Sequence, residues 1–364
     1  MRKAAPRCAP CQPQMPESTR MKRRILLKAL AMSPLAYVLN AHAAQARPFD
    51  FQKVRTGMLD RLAGIARAGV LPIIDIESSV NPVRIDLRAF MRAMDQSGIA
   101  QMCLSVDQPG DLVKQGVSWS HAALEFAADF PDYFIPVGNG ANEPAWTQSP
   151  DRFLNDNERY IIEYRYPMMG EFEFRHYPSP RQVERGQWNR DVDIPIDSPQ
   201  GQRLFAFAER SGIPLQIHYE IEDRLLAPLE TMLARYPRAK VIWCHLAQIR
   251  YSARATQYGP QLLESWLKRF PNLYIDTAFG PPQSVYKPSA ERHARYWTQS
   301  AQWKPLIEAY PYRFLAALDI GGDRMDRVNE WSATLRAFLD TLPPKTAEIV
   351  AYKSAWKLLF GEEL

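Results

Sequence analysis

Two histidines and two acids stand where the chain can do chemistry on a bound molecule. His218 ends the apolar run PLQIH, and His245 ends the run VIWCH one repeat further along. Glu171 lies in MMGEFEF and Asp319 ends FLAALD. A carboxylate after such an apolar run is costly to desolvate unless a cation, an arginine or ordered water compensates it. Imidazole nitrogens and carboxylate oxygens are ligands of zinc, so these residues predict either a metal site or a buried polar network.

The elements that must position these side chains alternate regularly. Amphipathic segments that predict helices cover residues 83–98, 197–212, 221–237, 259–272 and 344–361. Eight apolar runs predict strands at residues 71–76, 99–106, 133–139, 168–174, 213–219, 240–246, 272–278 and 313–320. Near-continuous apolar runs are typical of parallel strands buried on both faces. Eight strand-then-helix units predict an α/β fold with a single (β/α)8 TIM barrel, whose strand ends share one mouth. An open doubly wound sheet is the alternative, but no glycine-rich phosphate turn follows an early strand.

The order of these motifs resembles the amidohydrolase superfamily, nearest its amidohydrolase-related (family 2) branch, over roughly residues 70–361. The matching pieces are Asp75 on the first strand, Gly170-Glu171 on the fourth, His218 on the fifth, His245 in WCHL on the sixth, Asp319 in YPYRFLAALD on the eighth and the closing SAWKLLFG. The resemblance implies that His218 and His245 bind a divalent metal, most simply zinc. It also implies that Asp319 is the general acid/base that takes a proton from the attacking water.

The chain departs from this family on the first strand. The family motif Asp-x-His-x-His has Glu77 and Ser79 in the two histidine places. A serine hydroxyl is a poor ligand for a divalent metal, so the position built on that motif is expected to be weak or absent. The resemblance implies that a second position survives as Glu171, His218 and His245, as in amino-sugar deacetylases that bind one metal. Glu77 is expected to be a further ligand, a substrate-facing acid or the partner of an arginine.

Further polar residues follow the strands, where substrate groups would be held. We expect substrate contacts from Glu77, Arg175, His176, Tyr219 and Arg250. An arginine at such a place suits a carboxylate or phosphate, although each of these residues can equally be a solvated loop residue. The connections 176–196 and 279–300 are long and polar and should lie over the mouth. His121 and His293 are expected on the surface, and Cys103 and Cys244 as buried thiols.

The N-terminus predicts an export signal. Residues 1–20 read as an upstream extension, and residues 21–46 combine a basic start, an apolar stretch and small-residue cleavage sites. Arg23-Arg24 resembles a twin-arginine signal, with a plain secretory signal as the alternative. Without residues 1–46 the formal net charge falls from +5 to −2, because that segment carries eight basic residues and one acid. No basic surface therefore argues for nucleic acid, and no stable membrane anchor is expected.

These features predict a periplasmic hydrolase whose barrel is residues 47–364. It would use one divalent metal to activate water against an amide, ester or lactone bond of a small molecule. One alternative is a metal-independent lactonase on the same barrel. Another is a catalytically inactive barrel that binds a ligand. The export machinery and the substrate are the expected partners, and an oligomer is compatible with the sequence.

Overall fold

The computed structural model describes residues 46–82, 85–106, 119–140, 149–245, 255–278, 285–286, 291–292, 300–321 and 325–364. Within them, eight parallel strands form a barrel in the order β1-β2-β3-β4-β6-β7-β8-β11. The barrel strands are β1 (Ile73–Val80), β2 (Ile99–Val106), β3 (Phe134–Gly138), β4 (Met168–His176), β6 (Leu215–Tyr219), β7 (Val241–Trp243), β8 (Leu273–Asp276) and β11 (Phe314–Leu315). Each lies inside or across one of the eight predicted runs, so the TIM-barrel prediction is confirmed.

The sheet closes between β1 and the segment that continues β11. The backbone N–H of Asp319 donates to the carbonyl of Glu77 over 2.9 Å, and that of Ser79 donates to Ile320 over 2.8 Å. Strand β1 also pairs with β2 in parallel, so it has a neighbour on both edges. Closure brings the first and last barrel strands together at the mouth, although their residues are far apart in sequence.

The helices form the outer layer. They are α1 (Phe51–Arg67), α2 (Leu87–Ser97), α3 (Ala122–Asp129), α4 (Pro150–Glu163), α5 (Pro180–Glu184), α6 (Pro199–Ser211), α7 (Asp223–Arg235), α8 (Pro260–Arg269), α9 (Ser300–Ala309), α10 (Val328–Leu339), α11 (Pro344–Glu348) and α12 (Ser354–Phe360). Gly98 and Gly212 end α2 and α6 in the left-handed conformation, as the sequence predicts. The predicted closing helix 344–361 is interrupted by a π-helical turn, Ile349–Lys353, between α11 and α12.

Two barrel strands carry register shifts close to the mouth. Between Asp75 and Ser78, strand β1 advances three residues while β2 advances two. Strand β4 shifts twice against β6, between Met169 and Phe172 and again between Glu173 and Arg175. An extra residue bends a strand and re-aims its side chains. These bulges lie in the segments that carry Glu77 and Glu171.

The long connection after β4 folds back onto that strand. It contains α5, a 3-10 turn at Trp188–Arg190 and the short strand β5 (Val192–Asp193), which pairs antiparallel with the end of β4. In the other long connection, the structure describes only a two-residue pairing of β9 (Val285–Tyr286) with β10 (Glu291–Arg292) and the start of α9. The rest of that predicted substrate loop lies outside the described residues.

The burial of the two cysteines agrees with the sequence analysis, and the burial of His121 does not. Cys103 and Cys244 are free and buried, as predicted. His121 is half-buried rather than on the surface, because its ring centroid lies 4.5 Å from that of Tyr164 and its Nδ1 accepts from Trp119 over 3.3 Å. The surface prediction is therefore wrong for His121, and His293 lies outside the described residues.

Candidate metal and catalytic site

Three side chains from three barrel strands converge on one point. His218 Nδ1 lies 2.8 Å from Glu171 Oε1, and His245 Nε2 lies 3.1 Å from the same oxygen. His218 is the penultimate residue of β6, His245 follows β7 and Glu171 lies in the bulged part of β4. Both imidazoles are buried, and Glu171 keeps about a fifth of its side chain exposed (21%). The structure therefore brings together the three residues that the sequence offers as ligands.

The outer nitrogens of both rings have fixed partners. His218 Nε2 lies 3.1 Å from Glu220 Oε1, and His245 Nδ1 lies 3.3 Å from the carbonyl of Ala278. Carbonyl and carboxylate oxygens accept hydrogen bonds, and Glu171 Oε1 is such an acceptor at the inner nitrogens as well. A neutral imidazole carries one hydrogen, so one of its two nitrogens presents a lone pair to an acceptor oxygen. This is unfavourable unless a proton or a cation lies between them, and a cation beside Glu171 would leave the hydrogen of each ring on its outer nitrogen.

The pKa values of the two histidines and of Glu171 are shifted by this close approach. Burial lowers the pKa of His245, but the nearby Glu171 carboxylate outweighs it and raises that pKa to about 10. The pKa of His218 is also raised, against its burial, by Glu171 and by the hydrogen bonds to Glu171 and Glu220. Burial would raise the pKa of Glu171, yet the two histidines hold it well below its usual range. The cluster therefore attracts positive charge, either as protons or as a metal.

Glu77 faces this cluster from strand β1. Its Oε1 lies 3.4 Å from His245 Nε2, and its Oε2 is buried without a hydrogen-bond partner among the described residues. Burial and the carboxylates of Asp276, Glu171 and Asp319 raise its pKa well above the usual value. Such a buried oxygen without a partner is the kind of atom that a cation or a bound molecule satisfies. Strand β1 therefore still faces the site, and no arginine in the described part of the chain pairs with Glu77.

Asp319 lies at the closing edge of the barrel. It can share a ligand position with Glu77 and His245, since one donor atom of each lies within 4.8 Å of the others. Its side chain is half-buried. Both Asp319 and His245 have positive φ angles, 48° and 53°, which are uncommon for residues other than glycine. Conformations of this kind cluster at functional sites, where the surrounding structure must enforce them.

Two other acids support the site through backbone hydrogen bonds. Asp75 accepts from the N–H groups of Glu77 over 3.1 Å and Leu318 over 2.9 Å, so it holds β1 against the segment that carries Asp319. Burial raises the pKa of Asp75 to about 7. Asp276 accepts from the N–H of His245 over 3.0 Å. This contact fixes the backbone of His245 at the end of its strand.

A polar pocket opens beside these groups. It has an empty volume of about 410 Å³, part of it open to solvent, and is lined by Glu77, Ser78, Ser79, Ser105, Val106, Gly140, Glu171, Gln216 and Asp319. Gly140 approaches strand β4 so closely that a Cβ there would lie 2.3 Å from the carbonyl oxygen of Glu171. The serines and carboxylates offer hydrogen bonds to a small polar molecule.

Two of the predicted substrate-binding residues serve the framework instead. Arg175 is buried and donates to Glu222 over 2.9 Å and to Asp191 over 2.6 Å, so its guanidinium joins acids of the connections after β4 and β6. Tyr219 is buried, and its hydroxyl donates to the carbonyl of Leu225 over 3.0 Å. Successive side chains of a strand point to opposite faces, which turns Tyr219 away from His218. The substrate predictions for Arg175 and Tyr219 are corrected accordingly.

His176 borders the site without opening onto the pocket. Its ring centroid lies 4.6 Å from that of His218, and its Nδ1 lies 2.7 Å from the carbonyl of Arg190. Arg190 in turn pairs with the buried Glu173. His176 therefore packs the His218 ring rather than reaching into the lined pocket. Arg250, the remaining predicted substrate residue, lies outside the described residues.

Sequence reasoning missed the contact of Glu220 with His218 and the pair of Glu173 with Arg190. Glu220 and His218 are two residues apart, and residues i and i+2 of a strand share a face. That spacing is a signal that the sequence contains. Arg190 comes from the folded-back connection after β4, so nothing local in the sequence pairs it with Glu173.

The family comparison agrees with this architecture. A family model described as amidohydrolase matches residues 86–308. The chain belongs to the amidohydrolase family. The predicted resemblance is therefore confirmed, and the family is one whose members are commonly metal-dependent enzymes. The matched range begins after β1 and ends before β11, so it includes neither Glu77 nor Asp319. The position of these two residues beside the site in this amidohydrolase comes from the barrel geometry and not from the family match. No curated protein matches the chain.

Several solved structures are similar to this amidohydrolase at low identity. A 2,6-dihydroxybenzoate decarboxylase from Rhizobium is 13% identical with a TM-score of 0.46, covering 80% of this chain and 99% of that one. A Burkholderia multivorans amidohydrolase with bound zinc is 11% identical with a TM-score of 0.47, covering 79% and 99%. A 4-oxalomesaconate hydratase from Rhodopseudomonas palustris is 13% identical with a TM-score of 0.47, covering 86% and 93%. Similarities this distant do not bear on the reaction.

Proposed function

We propose that this amidohydrolase holds one divalent metal at Glu171, His218 and His245 and hydrolyses an amide, ester or lactone bond of a small molecule. The observation that carries the proposal is the pair of imidazole nitrogens directed at one carboxylate oxygen, at 2.8 and 3.1 Å. Their outer nitrogens are occupied by hydrogen-bond acceptors, which leaves the inner nitrogens to bind a cation. Metal-bound histidines in proteins generally have such outer partners.

The donor set fits zinc. Two imidazole nitrogens and one carboxylate oxygen are a common catalytic set that leaves one coordination place open. Zinc bonds of ~2.1 Å in tetrahedral geometry separate neighbouring ligand atoms by about 3.4 Å. The observed separations of 2.8 and 3.1 Å are a few tenths of an ångström shorter, so small side-chain shifts admit the ion. When bound, the metal supplies Lewis acidity that favours attack by water on a carbonyl group.

The chain's own groups then have distinct tasks. Asp319 is half-buried at the pocket, where its carboxylate can accept a proton from the attacking water and pass it to the leaving group. Glu77 adds a carboxylate oxygen 3.4 Å from His245 Nε2, in place of a strand-one histidine. The serine hydroxyls of the pocket orient a polar substrate.

The experiment is a turnover assay with and without metal. The purified protein is treated with a chelator, and hydrolysis of chromogenic esters, anilides and lactones is followed before and after Zn²⁺ is restored. We expect turnover of at least one bond class to disappear with the metal and to return with it. Full turnover by the chelated protein would contradict the proposal and favour a metal-independent lactonase.

We also propose that the chain is exported to the periplasm. The support is the composition of residues 21–46, with Arg23-Arg24 before an apolar stretch. No helix in the described part of the chain is long and apolar enough to cross a membrane. Fractionation of cells that express the full chain tests the proposal. Replacement of both Arg23 and Arg24 by Lys should leave the protein in the cytoplasm if the signal is of the twin-arginine type.

A further inference from the structure

We propose that Glu220 is a positioning residue, which fixes the ring of His218 so that Nδ1 rather than Nε2 meets the metal. This inference rests on the proposed function. Glu220 is buried, with 5% of its surface exposed, and its Oε1 lies 3.1 Å from His218 Nε2. The opposite nitrogen of the same ring lies 2.8 Å from Glu171. The two acids therefore hold the imidazole at its two ends.

The geometry assigns different chemistry to the two ends of the ring. A carboxylate can only accept, so Glu220 keeps the hydrogen of a neutral imidazole on Nε2 and leaves Nδ1 as the lone-pair donor. Without Glu220, the hydrogen can reside on either nitrogen, and the ring loses the contact that sets its rotation about χ2. A carboxylate on the outer nitrogen also makes an imidazole a stronger ligand.

Among the described residues, the hydrogen bond that the structure shows at His218 Nε2 is the one to Glu220. The neighbouring His176 packs against the His218 ring at a centroid distance of 4.6 Å, with its own Nδ1 2.7 Å from the carbonyl of Arg190. The outer nitrogen of His245 differs, since its partner is a backbone carbonyl, that of Ala278. The outer nitrogen of His218 therefore has a side-chain partner, which substitution can remove.

A matched pair of variants separates the loss of the hydrogen bond to His218 from general damage to the segment between β6 and α7, which contains both substituted residues. Glu222 lies two residues further on and is buried to a similar extent, with 6% of its surface exposed. Its carboxylate bonds Arg175 and Arg224, neither of which is a proposed ligand. If damage to this loop weakened metal binding, Glu222→Ala would weaken it as much as Glu220→Ala.

The experiment measures Zn²⁺ affinity by competition with a chromogenic chelator in the wild type, Glu220→Ala, Glu220→Gln and Glu222→Ala. We expect Glu220→Ala to weaken Zn²⁺ binding by about 10–100-fold, the usual cost of losing such a partner. Glu220→Gln should recover most of that loss because its amide oxygen still accepts from Nε2. Glu222→Ala should stay close to the wild type. The visible spectrum of Co²⁺-loaded protein should change in Glu220→Ala only, since it reports the geometry of the ligands.

The outcomes distinguish the inference from the function on which it rests. A wild type that binds no Zn²⁺ overturns the proposed function itself. A wild type that binds Zn²⁺, with Glu220→Ala unchanged or with both alanine variants equally weak, overturns only the role of Glu220. If Glu220→Ala does not fold, Glu220→Gln decides: wild-type Co²⁺ spectrum and near wild-type affinity support positioning by the hydrogen bond, and a loss as large as that expected for alanine contradicts it.

Discussion

Glu77 Oε1 lies 3.4 Å from His245 Nε2, which joins the first strand of the barrel to the sixth across its mouth. The sequence resemblance predicts a histidine at this place, and the carboxylate of Glu77 reaches the same cluster. Strand β1 therefore faces the site with an acid.

Glu77 contributes to metal binding through its carboxylate. Glu77→Ala should weaken Zn²⁺ binding at least about tenfold, because a carboxylate oxygen is lost from the cluster and His245 loses a neighbour. Ser79→Ala is the matched control, since Ser79 lines the same pocket from the same strand but is a poor ligand. Chelator competition measures both. Equal affinity in Glu77→Ala and the wild type would remove Glu77 from the metal site.

Asp319 carries the proton transfer. Asp319→Asn keeps the shape of the side chain but removes the base, so kcat should fall by about 10²–10⁴-fold. The Zn²⁺ content should stay the same, because the three proposed ligands are intact. Steady-state kinetics and metal analysis of the same preparation provide the check. A variant with normal kcat would show that another group accepts the proton.

Arg175 stabilises the fold and does not bind substrate. Its side chain and that of Glu222 are each 7% exposed, so Arg175→Ala removes a buried charged partner of Glu222, which keeps Arg224 and Tyr177. Loss of a hydrogen bond to a charged group costs about 1.5–3 kcal/mol of the free energy of unfolding. Urea unfolding measures this loss. A large rise in KM with unchanged stability would instead restore Arg175 as a substrate contact.

His121 makes stability depend on pH. Burial lowers its pKa from 6.5 to about 4, so on acidification the unfolded chain binds the proton first. The stability contributed by the neutral ring is complete above about pH 6.5 and is lost as pH falls towards 4. His121→Gln should therefore flatten the decline of unfolding free energy over this range. Denaturant titrations of the wild type and His121→Gln at several pH values test this prediction. An equal decline of the unfolding free energy in both proteins would contradict a buried, neutral His121.

The barrel could be predicted because its signals are local. Each strand is an apolar run of the length that a buried parallel strand requires, and each of His218, His245 and Asp319 stands at the end of one. Side chains at such ends share the mouth, so their meeting followed from the fold. The hypothesis of one metal likewise depended on which residue types stand at the predicted ends of the strands.

The remaining details depend on contacts between distant residues. The bulges of β1 and β4 shift the register of Glu77 and Glu171. Gly170 marks one of the bulges of β4, and no glycine or proline marks the bulge of β1. Arg175 looked like a substrate residue because its partners Glu222 and Asp191 come from other segments. Tyr219 was predicted as a substrate contact because it follows His218. The alternation of side chains along a strand instead places neighbouring residues on opposite faces.

Metal content is the most direct test of a one-metal site at Glu171, His218 and His245. The wild-type protein, purified without chelators, and its His218→Ala variant are analysed for bound metal by mass spectrometry, with circular dichroism to show that both are folded. We expect about one divalent metal per chain in the wild type, with zinc preferred, and almost none in the variant, because the loss of one of the two imidazole ligands leaves too few strong donors to hold the ion. A folded wild type without metal, even after incubation with Zn²⁺, or a variant that retains the metal in full would contradict it.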